Sequence, residues 1–140
     1  MGVDVVCVHE YAHYTFSVEN YTRSMATLRY TKIFYNSITV LFLNPMHILI
    51  AADHRGFTLK QELIAACASE GITLTECGSP ALDPHDDYPD VANTLVEAMQ
   101  KQSEPVRGIA LCGSGIGICI AANRHKNIQA AVGHTPELLR

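Results

Sequence analysis

The sequence predicts an α/β fold in which helices cover both faces of a parallel sheet. Three observations carry this. From residue 46 onward, short apolar runs alternate with segments of helical period. The runs "HILIAAD" (47–53) and "GIALCGS" (108–114) are apolar nearly throughout, as strands buried on both faces are. Their spacing is that of βαβ units, whose right-handed crossovers place helices on both sides of the sheet.

The elements follow in order. Residues 47–53 form the first strand of this pattern. "TLKQELIAACASEG" (58–71) sets Leu59, Leu63, Ile64 and Cys67 at helical spacing, with Thr58 as N-cap and Gly71 as the stop. "ITLTECG" (72–78) reads as a strand, and "SPALDPHDDYP" (79–89) has the Pro, Asp and Ser of a surface loop. "DVANTLVEAMQKQ" (90–102) is a helix with Asp90 near its positive end and Lys101 near its negative end. Residues 108–114 form a strand, "IGICIAANRH" (116–125) a helix, and "IQAAVGH" (128–134) a further strand. "TPELLR" (135–140) opens a helix, with Thr135 as N-cap and Pro136 at its first position. Residues 1–45 have a different character: five of the six tyrosines, one glycine, and no sustained period of 3.6 or 2.0. Within them "ITVLFLN" (38–44) reads as a strand. The chain therefore divides into an N-terminal extension without regular pattern (1–45) and an α/β domain (46–140).

Composition narrows the function. The chain has 140 residues, 48% hydrophobic and 17% charged, which suits one globular domain. Its net charge is −4 and it carries no Lys/Arg run, so nucleic acid is not an expected partner. The run at 38–43 is too short to span a bilayer, and the opening Met1-Gly2-Val3-Asp4 lacks the basic start of a secretory leader. The five cysteines are odd in number and have no CxxC spacing, so a reducing compartment, the cytoplasm, is expected.

Ligands bind beyond the carboxyl ends of strands in such sheets, and two polar features fall there. One is "CGSGIG". Gly113, Gly115 and Gly117 let the backbone turn tightly and approach a ligand, and the following helix start, at Ile116, adds free N–H groups. The loop suits an anion: a phosphate, or an oxyanion that forms during reaction. It lacks the Gly-Lys-Ser/Thr of a P-loop and the GxGxxG of a dinucleotide site. A tight turn that only packs helix on sheet explains the spacing equally well. Cys112 precedes the loop, where a thiol can act as base or nucleophile, although a cysteine there is more often a small core residue. The other feature is Asp53-His54, a carboxylate beside an imidazole, suited to binding hydroxyls, moving protons, or merely starting a polar loop. Tyr88, in "DDYPD", either lines a cleft or anchors its loop.

A third pattern, His9-Glu10-Tyr11-Ala12-His13, is a literal HExxH, the zinc-peptidase signature. It needs a helix to bring His9 and His13 to one face. The flanking Val5-Val6-Cys7-Val8 and Tyr14-Thr15-Phe16 are weak helix formers, so a peptidase site is the minor reading.

"ILIAADHRGFTLKQEL", "DYPDVA" and "CGSGIGICIAANR", in this order, resemble the ribose-5-phosphate isomerase B family, which includes galactose-6-phosphate isomerase subunits. The resemblance spans about residues 46–140. It implies a Rossmann-like three-layer sandwich, a homodimer or homotetramer, no metal or other cofactor, and no nucleic-acid or membrane partner. The implied reaction is aldose–ketose isomerisation of a sugar phosphate through an enediolate, with ribose 5-phosphate and ribulose 5-phosphate as the expected pair. Cys112 would be the base. Some relatives use a glutamate at the position of Ile118, so this chain looks like the cysteine type. Gly113, Ser114, Gly115, Ile116 and Gly117 would hold the enediolate oxygen, with Ser114 assisting. Asp53 and His54 would bind sugar and phosphate groups, and Tyr88 would line the pocket. The resemblance also implies elements beyond residue 140: a His-Asn pair, arginines for the phosphate, a last strand and closing helices. Without them the sheet is expected to miss its last strand, and a non-catalytic, sugar-phosphate-binding remnant is the alternative to an enzyme.

Overall fold

The computed structural model describes residues 3–9 and 47–133. Five strands and three helices are placed. In chain order they are β1 (Val3–His9), β2 (His47–Ala52), α1 (Phe57–Ser69), β3 (Leu74–Glu76), α2 (Tyr88–Gln100), β4 (Val106–Cys112), α3 (Ile116–Ala122) and β5 (Ile128–Val132). The strands form one parallel sheet in the order β3-β2-β4-β1-β5.

Side-chain alternation builds the three layers. Ile48, Ile50, Ile109 and Leu111 join Leu59, Leu63 and Cys67 of α1 on one face. Leu49, Ala51, Ala110 and Cys112 join Leu95, Met99 and Ile118 of α2 and α3 on the other. Both faces are covered, which is why the strands read as continuous apolar runs. The three-layer α/β reading is correct for this region.

The N-terminal stretch departs from expectation. Val3–His9 is not irregular: it is an interior strand, pairing with β4 on one side and β5 on the other. Val5 and Cys7 pack toward α2 and α3, and Val8 packs toward α1. A seven-residue apolar segment with β-branched residues gains both hydrogen-bond ladders and both apolar layers only between two other strands. Local pattern does not reveal that slot. β1 is thus an interior strand that the sequence pattern did not show, and the boundary at residue 45/46 divides the sequence pattern but not the sheet. The expected strand at 38–44 and helix at 135–140 lie outside the described residues.

Smaller corrections concern helix ends. Gly56, not Thr58, is the N-cap of α1. α2 begins at Tyr88, with the Asp87 side chain accepting from the Tyr88 N–H and Pro89 in the first turn, so Tyr88 belongs to the helix rather than the loop.

Candidate active site

The carboxyl edge of the sheet collects the polar residues. β4 delivers Cys112 there, β2 leads directly to Asp53 and His54, and β1 ends on His9, in register with Cys112.

Cys112 is 2% exposed and faces the α2/α3 layer. Gly115, at φ 74°, turns the loop so that its N–H donates to Cys112 Sγ at 3.1 Å. Such an amide donor is a contact that a sulfur anion accepts strongly. Ser114 Oγ accepts from the Ile116 N–H at 3.2 Å, and its own proton can still be donated to a ligand. Cys7 is buried on the same face, but burial, with Cys119 and Cys112 nearby, pushes its thiol far up. It stays protonated as a core residue. Burial likewise raises Cys67 and Cys77.

Asp53 is 3% exposed, and its Oδ1 accepts from the N–H groups of Arg55 (2.9 Å) and Gly56 (3.0 Å). Burial raises its carboxyl, while these two donors oppose the shift. One oxygen is thus committed to holding the turn that follows β2. A Cβ on Gly56 would meet Leu111 at 2.6 Å, so the absence of a side chain lets this turn press against the end of β4.

His54 is exposed and tied to the loop before α2. Its N–H donates to Asp86 Oδ1 at 2.7 Å, and its Nδ1 lies 2.9 Å from the same oxygen. The hydrogen bond that Nδ1 donates to Asp86 raises the imidazole above its ordinary 6.5. With Nδ1 engaged, Nε2 is the ring nitrogen left to meet a ligand.

Two side chains flank the glycine loop. A Cβ on Gly113 would lie 2.7 Å from Arg55 Nε, and one on Gly117 would lie 3.0 Å from the Tyr88 ring. The loop glycines therefore do more than turn: they let a guanidinium and a phenol ring rest against the backbone. The Tyr88 ring thus lies against the glycine loop. Ile116, at the start of α3, is 54% exposed.

Sequence reasoning missed Arg55 and Asp86. Arg55 stood inside the quoted "DHRG", but nothing local showed that its side chain crosses to the loop beginning 58 residues later. Asp86 is one of several acids in its loop, and its partner is 32 residues away.

The HExxH pattern lies mostly outside the described residues. His9 lies on a strand, where i and i+4 spacing does not have its helical meaning, and Glu10 and His13 lie outside the described residues. Among the described residues no group of three or more His, Cys, Asp or Glu could hold a metal ion.

Comparison with known proteins agrees with this geometry. The family model described as Ribose/Galactose Isomerase matches residues 48–139. Over 85 residues the chain is 42% identical to the probable ribose-5-phosphate isomerase B of Mycoplasma pneumoniae, covering 61% of this chain and 55% of that protein. It is 39% identical over 87 residues to the 4-deoxy-4-sulfo-D-erythrose isomerase of a Clostridium species, covering 61% of this chain and 54% of the relative. Among solved structures, ribose-5-phosphate isomerase B from Mycoplasma genitalium with bound ribulose-5-phosphate matches with TM-score 0.56 and 37% identity, over 61% of this chain and 57% of that one. The chain thus spans little more than half the length of these relatives, and β1 lies outside the family match. With the parallel sheet, the glycine loop and about two thirds of its residues aligned to one family model, the chain belongs to the ribose/galactose isomerase family.

Proposed function

We propose that this protein interconverts an aldose phosphate and a ketose phosphate, ribose 5-phosphate and ribulose 5-phosphate, through an enediolate. The observation that carries the reading is Cys112 Sγ at the mouth of the glycine loop, receiving an N–H from Gly115. In the open-chain aldose, the Cys112 thiolate takes the proton from C2. The C–H electron pair forms the C1=C2 bond, and the carbonyl pair moves onto O1. The same sulfur returns the proton to C1, where the C1=C2 electron pair forms the new C–H bond, while the O2 proton passes to O1, so that O1 becomes the hydroxyl and O2 the ketone oxygen. With the Gly115 N–H given to Cys112 Sγ and the Ile116 N–H to Ser114 Oγ, the remaining N–H groups of the loop and the Ser114 hydroxyl hold the oxygen on which charge develops, a role backbone donors fill without reorganising. His54 and Tyr88 orient the sugar, and Asp53 acts chiefly by holding the turn beside the loop. The reading uses no metal or other cofactor.

The test is isomerisation of ribose 5-phosphate by the purified chain beside Cys112→Ala. Loss of turnover with the fold intact supports the base; unchanged turnover sinks it. A second reading is sugar-phosphate binding without turnover. Saturable binding of ribulose 5-phosphate by a chain with no turnover would select it.

A homodimer or homotetramer is part of the proposal. Ile116 and Ile120 of α3 are more than half exposed, four residues apart on one helix face, and suit an apolar contact between copies. Light scattering that gives a monomer at all concentrations would refute this. Five free cysteines support a reducing, cytoplasmic setting, and no helix among the described residues is long and apolar enough to cross a membrane.

A further inference from the structure

We infer that Asp86 is a positioning residue of this site: acting through His54, it fixes which ring nitrogen faces the sugar and keeps that nitrogen a donor. The inference rests on the isomerase reading, in which His54 orients the sugar, and names the group that orients His54.

The loop before α2 brings three aspartates, Asp83, Asp86 and Asp87, to the carboxyl edge of the sheet. Two of them hold the loop's own backbone. Asp83 Oδ1 accepts from the His85 N–H at 2.9 Å, and Asp87 Oδ1 accepts from the Tyr88 N–H at 2.9 Å where α2 begins. The Asp86 N–H in turn donates to the Asp83 carbonyl at 3.3 Å. Asp86 thus stands between a closed turn and a capped helix start, and its carboxylate reaches across to the turn that follows β2. That turn is held as well, by Asp53 Oδ1 on the N–H groups of Arg55 and Gly56.

Asp86 grips His54 at more than one point. Its Oδ1 accepts from the His54 N–H at 2.7 Å and from Nδ1 at 2.9 Å, and its carbonyl oxygen lies 3.2 Å from the same Nδ1. These contacts fix the rotation of the ring. They also fix the tautomer, since both partners of Nδ1 are acceptors and the proton of the neutral ring must sit there. Nε2 is left to accept when the ring is neutral and to donate when it is charged. The charges that act on the ring are the carboxylates of Asp86 and of Asp53 in its own turn, and both favour the charged form. Arg55, next in sequence, directs its side chain to Gly113 instead. Nε2 therefore remains a charged donor to higher pH than in a free histidine, and a charged donor holds a sugar oxygen more strongly than a neutral one. A pair this exposed, at 38% and 20% of the two side chains, adds little to folding, so its main effect falls on the ring.

The test compares Asp86→Asn and Asp86→Ala with the unaltered chain. Affinity for ribulose 5-phosphate and KM for ribose 5-phosphate are followed from about pH 5 to 8. Asparagine keeps an acceptor of the same shape without the charge; alanine removes both. In the unaltered chain we expect affinity to fall about 3- to 10-fold as pH rises through the His54 midpoint, the difference between a charged and a neutral donor. Asp86→Asn should keep the low-pH affinity and move this step to lower pH. Asp86→Ala should weaken binding about 3- to 10-fold at low pH too, because the ring is no longer held, with a smaller effect on kcat. Ionisation of the substrate phosphate is common to all three chains and drops out of the comparison. A step at the same pH in Asp86→Asn overturns the assignment. So does Asp86→Ala that melts earlier but binds as before, which would make the pair a loop tie only, and so does an unaltered chain that binds no sugar phosphate. Failure of the isomerase reading has a different signature: turnover that is absent or survives Cys112→Ala, while sugar-phosphate affinity still follows Asp86.

Discussion

β1 and the strand–loop of residues 106–117 lie side by side and end at the same edge, yet they owe their places to different physics. β4 and its loop carry their instructions locally: an apolar run, a cysteine, and glycines where the backbone must turn or be approached. β1 carries almost none. Its seven residues become a strand because β4 and β5 each offer it a ladder and because two helix layers cover Val5, Cys7 and Val8. The stretch outside the family match is thus structural, at the middle of the sheet. The stretch inside the match holds the proposed chemistry.

The sharpest way to break this comparison is to remove β1. Deleting residues 1–9 should abolish the cooperative thermal transition. Val5 and Val8 alone contribute about 1.5–3 kcal/mol each by burial, and the lost ladders leave β4 and β5 with unpaired backbone groups. Against a total stability of roughly 5–15 kcal/mol, the sheet should not survive. A cooperative melt from the shortened chain would show β1 to be dispensable.

Cys112→Ala should do the reverse. Turnover should fall by about 10²- to 10⁴-fold, the usual worth of a positioned acid–base group. The melt should stay cooperative, because only a small side chain leaves the core. A broad, non-cooperative melt would make Cys112 a structural residue like Cys7.

Lys60→Ala probes the clasp between α1 and β3. Lys60 is fully buried while Glu76 keeps partial access to water, so the stranded carboxylate relaxes toward solvent. We expect about 2–3 kcal/mol lost in denaturant titration, below the 3–5 kcal/mol of a wholly buried broken pair. A loss under about 0.5 kcal/mol, the range of ordinary surface changes, would remove this pair from the stability argument.

Gly113→Ala sharpens the claim about the loop. The new methyl would meet Arg55 at 2.7 Å, and the arginine, being long and exposed, moves aside. Stability should change by less than about 1 kcal/mol, since core packing is untouched. Turnover of ribose 5-phosphate should fall, because the methyl and the displaced arginine crowd the loop beside Cys112. Unchanged turnover would mean that the close approach of Arg55 to Gly113 is immaterial to the site.

The smallest effect is electrostatic. The Asp86 hydrogen bond holds the His54 imidazole above 6.5, so the pair favours the protonated ring. Its support is fully present below that unfolded value and disappears as pH rises through the higher folded one. NMR titration should place the His54 midpoint above 6.5 and move it down in Asp86→Asn. An unmoved midpoint would detach the loop before α2 from the site.

Much of the fold was legible because its signals are local. Residues 47–52 and 106–112 read as buried strands from apolar continuity, and Leu59, Leu63 and Cys67 mark the buried side of α1 from their spacing. Helix ends were less legible: Thr58 has the right chemistry for a cap, but the chain enters α1 two residues earlier through the Asp53–Gly56 bend. Within the site, Cys112 and the loop glycines were identifiable because their types are unusual at a strand end. Arg55 and Asp86 were not, since an arginine or an aspartate in a polar loop has many possible partners.

By itself, the sequence determined the parallel α/β architecture from β2 to β5, the glycine loop and the cysteine before it. Periodicity and residue type act within a few positions of one another, so one dimension suffices to read them. Only the tertiary structure decided that residues 3–9 lie inside the sheet, that His9 is a strand end in register with Cys112, and that Arg55 rests on Gly113. Each of these depends on backbone ladders or close approaches between segments far apart in sequence, and their energy exists only once the chain has folded.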